Sequence, residues 1–478
     1  MSLTNKAVSA VLWSGLEILF RQGLRFVISI VLARLLSPEE FGTIALLYLF
    51  IGIASVFIEG GLSWALIQRQ DVTHTDESTV FWFNLSMGVL FAALLVLAAP
   101  WISDFYGQPV LIPLTATLAL CLFINSLGSI HFTLLSKKLD FKTPMKIGVA
   151  ATIASGSTAI FLAMKGYGVW ALAVQMLVSS LVTTGLLWKL CDWRPRVEFS
   201  LASARRLFGF SSYLMLSALL DVGYNRLYTL LIGKFYGVRE LGFYSRAEST
   251  KQVPEEILSG VLSRAAFPIF SAAASDKGRL QRGMRLALRG IMVINIPMML
   301  GLMVTAKSVV VVLFGETWAP AVPIMQVLCL GAVFWPLHVI NLNVLNAQGH
   351  SNLFFRLEIV KKALGIGLLL VGLLYGPIGI AWSQAVFGFV AFFINAHYTK
   401  RHLEYGSYQQ MRDIVPVLLT SAVMAISTHL VGISLDQTPL ITLAVQVAFG
   451  VIVFALICSV LRIGAFIDLL ALLAQHRK

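Results

Sequence analysis

Charged residues are scarce in this chain. Only 12% of its 478 residues are Asp, Glu, Lys or Arg, whereas 58% are hydrophobic and the mean hydropathy is +0.83. A soluble globular domain carries roughly 25% charged residues. The composition therefore excludes an ordinary soluble domain and predicts an integral membrane protein.

Patterns that bind metals or nucleotides are also missing. The four cysteines (Cys121, Cys191, Cys329 and Cys458) are far apart and form no CxxC pair, and the eight histidines are equally dispersed. Neither a disulfide framework nor a thiolate metal site is predicted. The sequence has no GxxxxGK[ST] phosphate loop, which excludes ATP hydrolysis by this chain. We expect no metal and no cofactor.

Long apolar runs fill most of the sequence. Stretches of roughly 20 residues, the length that a helix needs to cross a bilayer, recur about fourteen times with short connections. These connections leave no room for a soluble catalytic domain. The first run carries charges and precedes no small-residue cleavage site, so it is typical of a retained helix and not of a signal peptide. The predicted fold class is all-α integral membrane with about 14 transmembrane helices.

The positions of the basic residues predict the topology. The net charge is +13, which by itself would suit a nucleic-acid partner. With a cytoplasmic N-terminus, however, most Lys and Arg fall on the inner segments, as the positive-inside rule requires. The largest basic clusters lie within residues 136–146, 189–206 and 276–289. We therefore expect both termini on the cytoplasmic side and no nucleic-acid partner.

An internal repeat organises the chain. A shift of 200 residues aligns SPEEFG at 37–42 with GVRELG at 237–242, and further matches follow in the same order along the chain. Six spans separate the copies, so both have the same orientation and the symmetry axis runs along the membrane normal. The predicted parts are an N-terminal six-helix lobe (1–190), a cytoplasmic linker (191–208), a C-terminal six-helix lobe (209–400), and two additional helices with a cytoplasmic tail (401–478).

The first apolar run carries three charges on one stripe. Glu17, Arg21 and Arg25 are spaced i, i+4, i+8, so they project from one face of a helix. An arginine at the centre of a lipid-facing helix costs about 2.5 to 3.5 kcal/mol, and such residues normally face a bundle interior or an aqueous cavity. We expect this stripe to face the cleft between the two lobes.

The repeat places a second polar group at the same depth. Asp221, Asn225 and Arg226 align with the charged part of the first helix. The three arginines Arg21, Arg25 and Arg226 outnumber the acidic residues, which predicts a cationic cleft for a phosphate or pyrophosphate. In the alternative, the acidic residues pair with the arginines and only hold the helices together.

Glu59 is a further acidic residue at membrane depth. Intramembrane carboxylates commonly carry protons in transporters, so Glu59 is a candidate for ion coupling. In the alternative, Glu59 lies at the outer end of its span and is simply solvated.

Five segments in order resemble one known family. They are ARLLSPEEFGTIAL, LLSKKLDFKT, GYGVWALAVQ, LIGKFYGVRELGFYSRAE and LFGETWAPAVPIM. Together they resemble the polysaccharide-transport (Wzx-like) branch of the multidrug/oligosaccharidyl-lipid/polysaccharide (MOP) exporter superfamily, over essentially the whole chain.

The resemblance implies a function and a cellular place. It implies a MATE-like, two-lobed flippase of the bacterial inner membrane, which moves undecaprenyl-pyrophosphate-linked sugar repeat units for exopolysaccharide, lipopolysaccharide O-antigen or capsule synthesis. Membrane lipids, a polysaccharide polymerase and export machinery are the implied partners. A cationic cavity for the lipid-linked pyrophosphate is also implied, which Arg21, Arg25 and Arg226 fit.

Two other classes compete with this interpretation. A MATE-like drug or cation antiporter would need an acidic site, whereas the predicted cleft is basic. A membrane glycosyltransferase or polymerase would be expected to carry a DxD pair or a long outer loop, and the sequence has neither. We therefore expect a transporter and no enzyme, driven by protons, by sodium, by the membrane potential or by consumption of product on the far side.

Overall fold

The structure is a computed structural model that describes residues 22–60, 62–69, 71–273, 276–348, 351–435 and 437–467. Within these ranges the chain forms helices and no β-strand, which confirms the all-α class. Glu17 and Arg21 lie outside the described residues.

The first half of the chain contains short helices followed by long ones. They are α1 (22–35, its described part), α2 (Pro38–Ala45), α3 (Tyr48–Ser55), α4 (Ser63–Gln68), α5 (His74–Tyr106), α6 (Leu111–Lys137), α7 (Lys142–Met164), α8 (Val169–Leu190) and α9 (Leu201–Phe235). A π-helical turn, Val56–Gly60, directly follows α3.

The second half contains long helices with three shorter ones between them, α12, α13 and α14. Its helices are α10 (Val238–Ala272), α11 (Lys277–Val304), α12 (Ala306–Phe314), α13 (Ala321–Ala332), α14 (Trp335–Ala347), α15 (Ser351–Leu373), α16 (Gly376–Leu403), α17 (Ser407–Ser434) and α18 (Pro439–Val460).

Many of these helices are long and apolar enough to cross a membrane. Among the described residues ten candidate spans meet this criterion, and an eleventh is present if the bent pair Leu201–Gly209 and Leu214–Phe235 is one span. The first predicted span lies partly outside the described residues. The structure is therefore that of a multi-pass membrane protein and is consistent with about 14 spans.

The sequence SPEEFG starts α2 by a capping box. The Glu40 amide donates to Ser37 Oγ at 3.4 Å, and the Ser37 amide donates to Glu40 Oε2 at 2.6 Å. Pro38 at the first helical position needs no hydrogen-bond acceptor for its nitrogen. These bonds satisfy amides that a helix start otherwise leaves open, which fixes where α2 begins.

Two compact units divide the chain, one ending at Ser245 and one starting at Arg246. In the first unit α5 packs on α6, α7 on α8, and α9 on α3 and α5. In the second unit α11 packs on α17, and α15 and α13 pack on α16. The assignment of six-helix lobes to residues 1–190 and 209–400 stays a prediction.

An ionic cluster joins α11 to α17 in the second unit. Asp413, whose side chain is only 3% exposed, accepts from Arg285 Nε at 2.6 Å and from Arg285 Nη2 at 2.7 Å. Arg289 Nη2 also donates to this carboxylate, and the Tyr405 hydroxyl donates to it at 2.8 Å. A single buried carboxylate on α17 therefore satisfies two arginine donors from α11 and one hydroxyl donor from the turn before α17.

Asp413→Ala is expected to destabilise the second unit. Breaking a buried ion pair costs about 3–5 kcal/mol, and the half-exposed guanidinium of Arg285 can recover water, so we expect a loss near 3 kcal/mol. Thermal unfolding of the purified protein in detergent should show a clear fall in Tm. Asp71→Ala, which removes an exposed partner of Arg69, is the matched control and should leave Tm within about a degree, since exposed pairs contribute about 0–1 kcal/mol. Equal Tm values for both variants would contradict this role of Asp413.

Candidate functional site

A cavity lined by both polar and apolar side chains lies inside the first unit. Its walls come from α1, α2, α3, α6, α7 and α8, and its volume is about 530 Å³. This volume falls within the range of about 300–1,000 Å³ that is typical of small-molecule sites. The cavity is therefore large enough for part of a ligand rather than for a single water molecule.

The lining of this cavity combines one cation with neutral polar groups. The polar side chains that matter here are Arg25, Ser29, Tyr48, Asn125, Gln175 and Ser179. Amides and hydroxyls both donate and accept hydrogen bonds, which is what the hydroxyl groups of a sugar require. An aromatic ring such as that of Tyr48 adds an apolar body with a polar tip.

One residue carries the formal charge of the described cavity lining. Arg25 is the charged residue among the described lining residues, and none of those residues is Asp or Glu. Elsewhere in the described ranges, no group of three or more His, Cys, Asp or Glu is placed to hold a metal ion. The described lining therefore offers a ligand one guanidinium and several neutral polar groups.

The structure brings a second predicted cation close to the cavity. The guanidinium carbon of Arg226, on α9, lies 5.6 Å from the centroid of the Tyr48 ring, within the range of a cation–π contact. Tyr48 and Arg25 both line the cavity, so Arg226 contacts a lining residue of the cavity that contains Arg25. Of the three predicted cations, Arg21 lies outside the described residues.

Two other predicted site residues do not line the described cavity. Asp221 and Asn225 are exposed on α9. Glu59 belongs to the π-helical turn Val56–Gly60, but its side chain is outside the described part of the structure. Glu17 precedes the described residues. The counter-charge role of these side chains and the coupling role of Glu59 stay predictions.

Neutral residues are the part of this site that charge does not predict. Asn125 and Gln175 lie in the apolar runs FINSLGS and LAVQMLV, where an amide at membrane depth is unusual. Both side chains are partly buried in the structure. An amide withdrawn from water needs hydrogen-bond partners, so each amide in an apolar run is a signal of a polar site that a search for charged residues overlooks.

Close backbone packing occurs where α2 and α10 start. A Cβ added to Gly42 would lie 1.7 Å from the carbonyl oxygen of Val238, and one added to Gly242 would lie 1.9 Å from that of Pro38. Only glycine leaves room for backbones this close. Both contacts belong to the first unit.

The same contact is reciprocal between the two repeats. The shift of 200 residues pairs Pro38 with Val238 and Gly42 with Gly242. Gly42 approaches Val238, and in the same way Gly242 approaches Pro38, so the two contacts are equivalent under the repeat. This exchange is the mark of a local two-fold axis. The segments SPEEFG and GVRELG therefore pack as symmetry mates.

An ion pair accompanies this glycine contact. Arg239 Nε lies 3.1 Å from Glu39 Oε1, and these residues are also mates under the shift of 200. Their side chains are 63% and 44% exposed, so the pair contributes about 0–1 kcal/mol. The close approach of the backbones, and not this ion pair, determines the geometry.

Two curated proteins similar to this chain are named for the biosynthesis of lipopolysaccharide and of teichuronic acid. The chain is 27% identical to the lipopolysaccharide biosynthesis protein WzxC of Escherichia coli (strain K12), over 80% of this chain and 78% of that protein. It is 26% identical to the teichuronic acid biosynthesis protein TuaB of Bacillus subtilis (strain 168), over 95% of each.

A solved structure shares the fold. The lipid II flippase MurJ, in an inward closed conformation, superposes with a TM-score of 0.79 at 15% identity, over 94% of this chain and 98% of that chain. At this identity the likeness shows the fold alone. The family model described as polysaccharide biosynthesis protein matches residues 31–323. The match covers more than half of the sequence, and the chain belongs to this family of polysaccharide biosynthesis proteins.

Proposed function

We propose that this chain is a flippase for lipid-linked oligosaccharides. Its cargo is an undecaprenyl-pyrophosphate-linked repeat unit, which it moves across the bacterial inner membrane for the assembly of a surface polysaccharide. The observation that carries this proposal is the cavity of the first unit, whose described lining combines the Arg25 guanidinium with neutral amides and hydroxyls. Membership of a polysaccharide biosynthesis family supports the sugar as cargo.

Each part of the cavity has a role in this proposal. The amides and hydroxyls, such as those of Asn125, Gln175 and Ser179, bind sugar hydroxyl groups. Arg25 and Arg226 supply counter-charge to the pyrophosphate, since a guanidinium matches phosphate oxygens in bidentate geometry. Arg21, one turn before Arg25 in the sequence, is proposed to extend this cationic stripe, with Glu17, Asp221 and Asn225 as polar and counter-charge groups.

The contact between the starts of α2 and α10 acts as a gate in this proposal. With cytoplasmic termini, both segments lie at the outer face. The proposed lobes, 1–190 and 209–400, close this face when Gly42 and Gly242 are in contact and open it when the two helix starts separate. Cargo that binds the two states unequally biases the exchange between them. A polymerase and export machinery then consume the product outside.

The competing functions fit the cavity less well. A cation antiporter needs acidic groups to hold a cationic drug, whereas the described cavity lining carries Arg25 and no Asp or Glu. An enzyme that transfers sugars is not supported by the relatives, whose names refer to lipopolysaccharide and teichuronic acid biosynthesis and do not name a transferase.

Mass spectrometry of polyprenyl-linked lipids tests this function. In cells depleted of the protein, we expect a complete lipid-linked repeat unit to accumulate, because synthesis continues while translocation stops. A drug-susceptibility panel on the same cells should be unchanged. Truncated units would point to a missing enzymatic step, and normal lipids with reduced drug tolerance would point to an efflux protein. Either result would overturn the proposal.

A further inference from the structure

The start of α11, in the second unit, is longer than its membrane span requires. The helix has 28 residues and is therefore about 42 Å long, whereas the hydrocarbon core of a bilayer is about 30 Å thick. All charged residues of α11 lie in its first half, up to Arg289, and the remainder to Val304 carries none. The basic first half therefore lies at the depth of the lipid headgroups.

Basic residues dominate this first half. The five that it contains are Lys277, Arg279, Arg282, Arg285 and Arg289. One acidic residue, the N-cap Asp276, precedes them. Five basic residues against one acidic residue leave a net charge of +4 within residues 276–289.

Three of these arginines project from the same side of the helix. At about 100° per residue, Arg282, Arg285 and Arg289 fall within a sector of about 60°. The opposite side of α11 is fully buried and contains Leu280, Met284 and Leu288. We call Arg282, Arg285 and Arg289 the arginine stripe. It faces away from the core of the second unit.

A carboxylate on a second helix orders two members of the stripe. Asp413, on α17, accepts two bonds from Arg285 and a further bond from Arg289. A guanidinium has five N–H donors, and these two side chains remain 50% and 32% exposed, so each can also reach a second acceptor. Two guanidinium groups that one carboxylate holds side by side are placed to bind an anion between them.

The charge of this arrangement is not balanced by the carboxylate. Asp413 supplies one negative charge to two arginines, and Arg282 adds a third cation about one turn before Arg285. The positive-inside rule explains why basic residues collect at this end of the helix. It does not require that two of them share a buried carboxylate and keep exposed donors. The stripe therefore has both the charge and the order that an anion site needs.

The neighbouring helix passes from polar to apolar at a similar depth. The bonds between Asp413 and the stripe place the starts of α11 and α17 side by side. One exposed side of α17, spaced i, i+4, i+7 and i+11, contains Tyr408, Arg412, Val415 and Leu419. A tyrosine and an arginine followed by apolar residues are typical of a helix that enters the bilayer from the headgroup region. On α11, Leu286 is 55% exposed beside the stripe.

We propose that the arginine stripe binds the headgroup phosphate of an anionic glycerophospholipid. The guanidinium groups donate to the phosphodiester oxygens, and the acyl chains lie along the apolar surface that follows the stripe. Basic clusters next to a membrane span attract anionic lipids in this way. A free phosphate shares the chemistry of the headgroup, but the exposed Leu286 and Leu419 beside the arginines favour a lipid. With the predicted topology, the lipid belongs to the cytoplasmic leaflet.

Native mass spectrometry of the purified full chain in detergent tests this site. The probes are phosphatidylglycerol, which is anionic, and phosphatidylcholine with the same acyl chains, which is zwitterionic. We expect the protein to retain phosphatidylglycerol in clear preference to phosphatidylcholine. An excess of inorganic phosphate should not displace the bound lipid, because it lacks the acyl chains.

Variants locate the binding to the stripe. Arg282→Gln should weaken the binding of phosphatidylglycerol about fivefold, the contribution of one basic residue near an anionic surface. Arg282→Lys keeps the charge and should retain most of the affinity. Arg289→Gln, which leaves both bonds from Arg285 to Asp413 in place, should weaken binding by a similar factor. The matched control is Lys307→Gln, which removes an exposed cation beyond the opposite end of α11 and should leave binding unchanged.

Three outcomes would overturn the lipid site. They are equal retention of both lipids by the parent, equal weakening by Arg282→Gln and Lys307→Gln, and displacement of the lipid by inorganic phosphate. The second would show a general attraction of charges, and the third a site for a free anion. Because the titration contains no polyprenyl lipid, it does not depend on the cargo. Normal polyprenyl lipids in depleted cells would instead overturn the flippase proposal, whatever the titration shows.

Discussion

Gly42→Ala should abolish polysaccharide export while the protein still accumulates in the membrane. The added Cβ would lie 1.7 Å from the Val238 carbonyl oxygen, a distance that carbon and oxygen atoms do not adopt without a bond. Because the clashing atom belongs to the backbone, no side-chain rotation relieves it, and the starts of α2 and α10 must move apart. A cycle that requires this contact to close then stops.

The size of the effect follows from the balance between two states. A penalty of only about 1.4 kcal/mol changes a population tenfold, and a backbone clash that blocks the closed state costs more than this. We therefore expect export to fall by more than roughly tenfold. Gly242→Ala should have the same effect, since its Cβ would lie 1.9 Å from the Pro38 carbonyl oxygen. Polymer per cell, divided by the amount of membrane protein, is the measurement.

Two controls separate the clash from other consequences of the mutation. Gly223→Ala on α9 adds the same methyl group where nothing lies within 4 Å, and it should retain export. Glu39→Ala removes the exposed ion pair with Arg239 and should change export less than twofold, since such pairs contribute about 0–1 kcal/mol. Normal export by both Gly42→Ala and Gly242→Ala would show that this contact is not a gate.

The helical fold could be predicted from hydropathy, because apolar runs of bilayer length leave few alternatives to helices. The capping box at Ser37 and Glu40 is also readable, since it depends on residues three positions apart. The repeat indicates that Gly42 and Gly242 are equivalent. It does not indicate that the two segments touch, because equivalent positions in a sequence repeat can lie at any distance from each other in the fold.

Interruptions within helices are hidden in the sequence. Residues 321–345 form one apolar run that can cross a membrane as a single span, yet α13 ends at Ala332 and α14 starts at Trp335. Pro336 is the local signal, but a proline in the first turn of a helix is equally compatible with an ordinary start. Asn295, which donates to two backbone carbonyls at the break, is distant in sequence, so only the tertiary structure brings the two together.

The arginines near the candidate site could be picked out from the sequence, whereas the neutral residues that complete the cavity could not. Arg25 and Arg226 stand out because arginine is rare at membrane depth, and the structure places both beside the wall that contains Tyr48. Asn125 and Gln175 come from helices that are far apart in sequence, and their convergence on one cavity depends on how α6 and α8 pack. The packing of one helix on another produces no periodic pattern in the sequence from which this convergence could be predicted.

Removing the cation of the cavity should be the second large effect. Arg25→Ala, combined with Arg21→Ala, is expected to reduce polymer output more than tenfold while the protein remains inserted. The reason is that a pyrophosphate entering a low-dielectric cavity needs a compensating charge, and Arg25 is the one charged residue of the described lining. The complete lipid-linked unit should accumulate in the same cells, which distinguishes a block in translocation from a block in synthesis.

Graded substitutions at Arg25 test whether charge or geometry matters. Arg25→Lys keeps the charge but loses the planar fork that binds two phosphate oxygens, so it should restore export only in part. Arg25→Gln keeps polarity without charge and should resemble alanine. Lys165→Ala, which removes an exposed cation at the end of α7, is the matched control and should leave export unchanged. Full output from the double variant would remove Arg21 and Arg25 from the mechanism, and equal activity of the lysine and arginine forms would show that charge alone suffices.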